Sequence, residues 1–129
     1  MNNLSASANV LARVLLALMF VLAGYDKIGG YADTQGYMAA FGVPGVLLPL
    51  VILAELGGGL AIMAGFLTRI SALALAAFTL VAAIVFHTDF SDGMQQILFM
   101  KNISISGGLL LLAVTGAGRF SLDQKLGIR

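Results

Sequence analysis

The stretch PGVLLPLVILAELGGGLAIMAGFLTRISALALAAFTLVAAIVFH, residues 44–87, decides the fold class. Its only charged residues are Glu55 and Arg69. Each half is close to the ~20 apolar residues that an α-helix needs to cross a bilayer. A very short polar segment around Arg69 separates the halves. We therefore expect two membrane-spanning helices, about residues 44–66 and 70–87, joined as a tight hairpin.

Two further apolar runs flank this hairpin, at about residues 10–28 and 96–114. The chain of 129 residues is 60% apolar and 10% charged, with a mean hydropathy of +1.00. A soluble domain is nearer ~45–50% apolar and ~25% charged. We predict one all-α transmembrane domain over residues 1–129, an integral membrane four-helix bundle with up-down-up-down topology that contacts the lipid bilayer.

Composition also excludes several classes of function. The net charge is only +1 and no basic cluster exists, so no nucleic-acid partner is expected. The chain has no cysteine, which rules out thiol redox chemistry, iron–sulfur clusters and zinc–thiolate sites. One histidine and one glutamate within the spans are too few for an ordinary metal site, so we expect none.

Lysine and arginine placement predicts the orientation in a bacterial inner (plasma) membrane. Positive residues favour the cytoplasmic side, which places both termini in the cytoplasm of a multi-pass protein. The first outer connection, residues 29–43, is expected to carry a short amphipathic helix over about residues 35–41. That helix would either lie on the membrane surface or cover the bundle. The cytoplasmic side would hold Arg13, Arg69, Arg119, Lys125 and Arg129, against Lys27 and Lys101 outside.

Polar residues inside the apolar runs point to an interior site. A charge at mid-bilayer costs at least ~2.5–3.5 kcal/mol, so each one needs a partner or a function. Glu55 lies near the middle of the second span, with Lys101 its first candidate partner and Arg13 the second. His87 ends the third span, and Asn102 adjoins Lys101. We expect these five residues to form a buried polar cluster that opens outward and binds a ligand. Its rim would be formed by Tyr25, Asp26, Lys27 and Gln95.

Small residues predict where helices approach closely, either within the bundle or between protomers of a homo-oligomer. The predicted packing positions are Gly57, Gly58, Ala61, Gly65, Gly107 and Gly108. Helical spacing also aligns one face of the first span, which carries a cation near each end. That face comprises Arg13, Ala17, Phe20, Gly24 and Lys27.

In its motifs the chain resembles the DoxX family of small four-helix bacterial inner-membrane proteins, over about residues 10–123. The motifs are RVLL at 13–16, AGYDK at 23–27, GVP at 42–44, ELGGG at 55–59, GFLTR at 65–69, FH at 86–87, MKN at 100–102, GGLLLL at 107–112 and SLD at 121–123. Some members resemble membrane subunits of quinone-linked sulfur-compound oxidation, and others associate with redox-stress enzymes. The resemblance carries over Arg13, Glu55, His87 and Lys101 as the family's polar residues.

Together these features predict an accessory membrane subunit that binds a quinone-like or other small amphipathic ligand among its helices and serves a redox partner. Such a ligand needs an apolar slot with a few polar groups at its head. A quinone or lipid would bind without a covalent bond, and turnover would require the partner, so we expect no enzyme activity of the chain alone. Two alternatives stay open: a structural or assembly protein whose ion pairs only fix helix register, and a small transporter or proton pathway.

Overall fold

The computed structural model describes residues 2–128, which are helical apart from short turns and contain no strand. Four of the helices are long and apolar enough to cross a membrane. This confirms the all-α class and the four expected spans. The helices are α1 (Asn3–Gly29), α2 (Tyr31–Ala40), α3 (Gly45–Ala64), α4 (Thr68–Phe86), α5 (Gly93–Thr115) and α6 (Leu122–Leu126).

Two of the spans begin earlier than their apolar runs because polar caps extend them. The Asn2 side chain accepts a hydrogen bond from Ser5 N at 2.7 Å and starts α1. Asp92 accepts from Met94 N at 3.0 Å and starts α5. Such caps satisfy amide groups that have no partner inside the helix. Gly65, at φ 71°, ends α3 in the left-handed conformation that glycine tolerates best.

Helix α3 changes its winding around Glu55. It starts with a 3₁₀ turn at Gly45–Leu47 and continues as α-helix over Leu48–Ile52. It then widens into a π-turn at Leu53–Gly57 before returning to α-helix. A π-turn carries an extra residue and is often found at functional sites. Glu55 lies in this turn and is 6% exposed, so its carboxylate points into the bundle.

Helices α1 and α3 approach closely at two glycines. A Cβ atom added at Gly24 would lie 2.8 Å from Leu56 N, and one at Gly59 would lie 3.2 Å from Val21 N. Both distances are too short for a side chain against backbone, so the contact needs glycine on each helix. Gly59 was absent from the predicted packing positions. Gly58 was among them, and a Cβ there would lie 3.1 Å from the Leu75 side chain.

The remaining predicted packing positions behave differently within the chain. A Cβ added at Gly57 would meet only Leu53 of its own helix, and one at Gly107 would meet nothing within 4 Å. Gly108 leaves room, with Leu16 Cδ1 at 3.8 Å. Gly65 ends α3, where an added Cβ would clash with the side chains of Arg13 and Ser121, and Ala61 is half-buried. Contacts of Gly57 and Gly107 between protomers stay a prediction.

The core lies between α1, α3, α4 and α5 and comprises Ala17, Phe20, Ile62, Ala72, Leu75, Ala76, Leu109 and Leu112. Helices α4 and α5 pack along their length, whereas α1 and α5 make few contacts and leave a seam. Large apolar side chains such as Leu15 and Leu22 are exposed on the outside and contact lipid. The sides of the membrane on which the two ends lie stay a prediction.

Contacts define two ends of the bundle. The capped end contains the start of α1, the α3–α4 turn, the end of α5, and α6. The cavity end contains the end of α1, α2, the start of α3 and the α4–α5 loop. Helix α2 is longer than expected and covers the cavity end: Met38 is buried, and the Tyr37 and Phe86 rings stack with centroids 5.4 Å apart.

Candidate functional site

A cavity of about 450 Å³ lies between α1, α3, α4 and α5 under α2. Its volume is within the range of small-molecule sites, and most of its wall is apolar, with aromatic rings such as Phe78 and Phe86. Polar side chains converge on it from α1, α2, α3, α4 and α5. They are Lys27, Thr34, Glu55, Thr79, His87, Lys101 and Asn102. The structure thus brings four of the five predicted cluster residues to one cavity.

Glu55 forms an ion pair with Lys27, whose Nζ atom lies 2.7 Å from Glu55 Oε1. The predicted pairing with Lys101 or Arg13 is therefore wrong. The reason is the register of α1 against α3: Gly24 packs on Leu56, so the residue three positions later, Lys27, lies beside Glu55. Lys27 was expected at the rim and instead belongs to the cavity wall. The feature of the sequence that indicated this position is that Lys27 shares a helical face with Gly24.

Lys101 and Asn102 line the cavity from α5. Within residues 2–128 Lys101 forms no ion pair. Asn102 is buried and its Nδ2 donates a long hydrogen bond, 3.4 Å, to the Thr79 carbonyl. The Lys101 ammonium thus has no protein anion, about two turns into a helix that spans the membrane. An ammonium group at that depth requires either water access or a ligand.

His87 follows the last residue of α4, and its ring is held by Gln95 from the first turn of α5. Nδ1 lies 2.7 Å from Gln95 Oε1. Because an amide oxygen only accepts, Nδ1 is assigned as the donor, and in that tautomer Nε2 is an acceptor without a partner among residues 2–128. Gln95, predicted at the rim, thereby orients His87. The other two rim residues, Tyr25 and Asp26, are exposed on α1 and do not line the cavity.

Thr79 is a cavity residue that the sequence analysis did not select. Its side chain is 3% exposed, and its hydroxyl has no hydrogen-bond partner within residues 2–128. Threonines in helices commonly bond to the carbonyl four residues earlier. Thr34 and Thr115 do so, at 2.8 Å and 3.0 Å. Thr79 does not, and an unpaired buried hydroxyl costs about 1–3 kcal/mol. Its helical spacing from Ala83 and His87 was the only signal.

Arg13 lies at the capped end, not at the cavity. It is 2% exposed, and its Nη1 donates to the carbonyls of Ile62 and Met63, both at 3.2 Å. Nη2 donates to Phe120 O at 2.5 Å, and Nε donates to Asn9 Oδ1 at 2.9 Å. The guanidinium thus caps the end of α3 and fixes the segment before α6. Its expected role in the ligand cluster is corrected to a structural one.

Two further charged residues at the capped end also bind helix termini. Asp123 accepts from Leu67 N at 2.6 Å and Thr68 N at 2.9 Å, at the start of α4. Arg69 donates to the carbonyls of residues 113–115 at the end of α5. A negative group at a helix start and a positive group at a helix end both match the helix dipole. Neither residue was predicted to have this role.

No group of three metal-binding side chains occurs within the part of the chain that the structure describes. The cavity instead combines an ion pair, a free ammonium, an amide, an imidazole acceptor and an unpaired hydroxyl. Such groups can hydrogen-bond the head of an amphipathic molecule without metal coordination.

Comparison with known proteins places the chain among bacterial membrane proteins. It is 57% identical over 117 residues to Inner membrane protein YqjF of Escherichia coli (strain K12), covering 91% of this chain and 90% of the relative. It is 37% identical to Inner membrane protein YphA of the same organism, covering 90% and 88%. It is 30% identical to Putative oxidoreductase CatD of Bacillus subtilis (strain 168), covering 95% and 90%.

No solved structure matches the chain significantly. The sequence profile named DoxX matches residues 8–88, which include most of α1, the ion pair and His87. Four candidate membrane-spanning helices agree with the names of the two Escherichia coli relatives. The chain is therefore a multi-pass membrane protein that belongs to the DoxX family.

Proposed function

We propose that the cavity binds the head group of a quinone-like amphipathic ligand, and that the protein serves a redox partner as an accessory membrane subunit. The observation that carries this proposal is the buried hydroxyl of Thr79, which lacks a partner within residues 2–128 and lines the cavity. A ligand atom that bonds to this hydroxyl would remove the cost of leaving it unpaired. The cavity volume of about 450 Å³ suits such a head group.

The polar side chains of the cavity match both the oxidised and the reduced form of a quinone head. Quinone carbonyl oxygens accept hydrogen bonds, and the Lys101 ammonium and Thr79 hydroxyl can donate them. The reduced form carries hydroxyl groups that donate, and Nε2 of His87 is a free acceptor. The Lys27–Glu55 ion pair adds a carboxyl group and an amino group next to this space. The aromatic rings of Phe78 and Phe86 supply apolar contact for the ring faces.

The proposed redox partner follows from what this sequence lacks and from one relative. With no cysteine, the chain has no thiol pair or iron–sulfur ligands of its own for electron transfer. One relative is named Putative oxidoreductase CatD, which supports a redox role for proteins related to this chain. We therefore assign ligand binding to this chain and electron exchange to a second protein.

Two threonines provide a matched test of the binding site. Thr79 and Thr68 are both almost fully buried on α4, and both hydroxyls lack a partner within residues 2–128. Only Thr79 lines the cavity. Valine removes the hydroxyl from either residue with little change in shape. We expect Thr79→Val to weaken binding of a short-tailed benzoquinone about tenfold, because one hydrogen bond of ~1–1.5 kcal/mol is lost. Thr68→Val should bind like the wild type.

The measurement is equilibrium binding of that benzoquinone to protein in mild detergent, together with mass spectrometry of molecules that copurify. A quinone in the wild-type extract, reduced in Thr79→Val and unchanged in Thr68→Val, supports the proposal. Absence of both copurified and added quinone binding in the wild type would overturn it and favour the structural or assembly role. Equal binding by both variants would show that the ligand does not bond to the Thr79 hydroxyl.

A further inference from the structure

The seam between α1 and α5 contains a second cavity of about 340 Å³, near the capped end. Its walls come from residues 9–16 of α1 and residues 108–115 of α5. Leu16, Leu111 and Leu112 are among its apolar lining residues, and Gly108 leaves space between the helices. The first cavity, under α2, is lined by the same pair of helices, with Met19 on α1 and Asn102 on α5 among its lining residues. Both cavities therefore lie along one seam.

The polar groups in this second cavity already have partners. The Arg13 guanidinium is bound to carbonyls of α3 and of Phe120. The Thr115 hydroxyl donates to the Leu111 carbonyl at 3.0 Å, and Asn9 Oδ1 accepts from Arg13 at 2.9 Å. The cavity therefore offers an occupant apolar contact and few free hydrogen bonds. Hydrocarbon is the chemistry that fits such a surface.

The stretch of seam between the two cavities is also apolar. Leu16, Met19 and Ile105 are partly buried hydrophobic residues that pack against the core. On α1 these positions continue the helical stripe that runs from the second cavity to the head-group cavity. Methionine is flexible and adapts its side chain to irregular neighbours. A hydrocarbon chain along this stretch of the seam contacts apolar side chains, and the Arg13 guanidinium in the second cavity is already bound to backbone carbonyls.

We propose that this seam holds the single hydrocarbon tail of the ligand whose head group occupies the cavity under α2. This inference rests on the proposed function and adds to it the class of ligand: a polar head with one long isoprenoid or acyl chain. The second cavity extends over eight residues of each helix, about 12 Å. A second transmembrane helix would pack over more of the ~30 Å hydrocarbon thickness, so the size of the cavity favours a tail.

Two adjacent glycines allow the tail to be tested without unfolding the protein. A Cβ at Gly108 would meet only Leu16 Cδ1, at 3.8 Å, and one at Gly107 would meet nothing within 4 Å. A side chain can therefore begin at either position without a clash at its Cβ atom. Gly108→Leu fills the second cavity, whereas Gly107→Leu adds the same side chain outside it. Each variant is titrated with a benzoquinone that carries a ten-carbon tail and with the same ring without a tail.

We expect Gly108→Leu to weaken binding of the long-tailed quinone at least tenfold, since each displaced methylene contributes about 0.8 kcal/mol. Binding of the tail-less ring should be unchanged, and Gly107→Leu should bind both probes like the wild type. Unchanged long-tail binding by Gly108→Leu would overturn the tail site while leaving the head-group site intact. If neither probe binds the wild type, the proposed function itself fails. A changed oligomeric state of Gly108→Leu with normal long-tail binding would assign the seam to a second copy and overturn the inference.

Discussion

The two ends of the bundle use similar residues for different purposes. At the capped end Arg13, Arg69 and Asp123 bind backbone groups of helix termini. At the cavity end Lys27 and Glu55 bind each other, and their neighbours face a cavity of about 450 Å³. Helix ends leave several backbone groups without partners, so a nearby charge is readily engaged by them. A charged residue in a membrane helix therefore indicates a ligand site only after the helix ends around it have been considered.

The difference between the two ends also determines whether a substitution affects stability or ligand binding. Side chains at the capped end hold four distant parts of the chain together, because their partners lie 44–107 residues away in sequence. At the cavity end, by contrast, Lys27 and Glu55 bind each other, and the Thr79 hydroxyl has no partner within residues 2–128. We therefore expect substitutions at the capped end to lower stability and substitutions at the cavity end to alter binding.

Arg13→Met should cause the largest loss of stability, roughly 3–5 kcal/mol, because it leaves buried carbonyls of α3 and of Phe120 without donors. The measurement is the free energy of unfolding in detergent. Arg119→Met is the matched control, since Arg119 is exposed and only stacks over Phe120, 5.2 Å from the ring centroid. That variant should lose no more than about 1 kcal/mol. Equal losses would contradict the structural role of Arg13.

Asp123→Ala should destabilise the protein by about 2–3 kcal/mol, because two buried amides at the start of α4 lose their acceptor. Asp92→Ala removes a single exposed cap from α5, at the other end of the bundle, and should cost about 1 kcal/mol. Thermal unfolding of both variants under identical conditions compares a cap that joins distant segments with a cap formed inside one helix start. A larger loss of stability for Asp92→Ala would contradict the assignment of Asp123 as the stronger cap.

Glu55→Gln and Lys27→Met should be coupled by about 1 kcal/mol, as measured in a double-mutant cycle of unfolding. Either single change leaves one charge in the bundle without its partner, so the double variant should lose less than the sum of the two. The same cycle between Glu55→Gln and Lys101→Met should give a coupling near zero. Strong coupling between Glu55 and Lys101 would instead support the pairing predicted from the sequence. It would contradict the register of α1 against α3.

Thr79→Val should have the smallest effect on the ligand-free protein, and in the opposite direction. Its hydroxyl has no partner within residues 2–128, so removing it is expected to raise stability by up to about 1 kcal/mol. Unfolding is measured after the ligand has been stripped with detergent. A loss above 1 kcal/mol would show that the hydroxyl has a structural partner, and the case for a ligand at this residue would then weaken.

The class of fold was predictable because a bilayer imposes long apolar runs on the sequence. Each of the four runs became a helix, and the polar caps Asn2 and Asp92 account for the extra turns at two helix starts. The hairpin at Gly65 and Thr68 was also predictable, since little polar sequence separates two apolar runs. These features depend on neighbouring residues alone.

The site was only partly predictable because it depends on register between distant helices. Apolar periodicity does not specify which turn of α1 faces Glu55; the contacts of Gly24 and Gly59 and the π-turn at Leu53–Gly57 determine it. The role of Asp123 was hidden for the same reason, since its partner Thr68 is 55 residues away. A threonine such as Thr79 is usually satisfied within its own helix, so an unpaired hydroxyl has no signature in sequence.

The most direct test of the division between the two ends is the change in unfolding temperature caused by a saturating short-tailed benzoquinone. It is measured side by side for the wild type, Asp123→Ala and Lys101→Met. We predict that Asp123→Ala unfolds at a lower temperature than the wild type but gains the same increment from the ligand, because ligand binding adds to the stability of any folded form. Lys101→Met should unfold near the wild-type temperature without ligand and gain clearly less with it. No increment in the wild type, or an equal increment in all three proteins, would contradict the account.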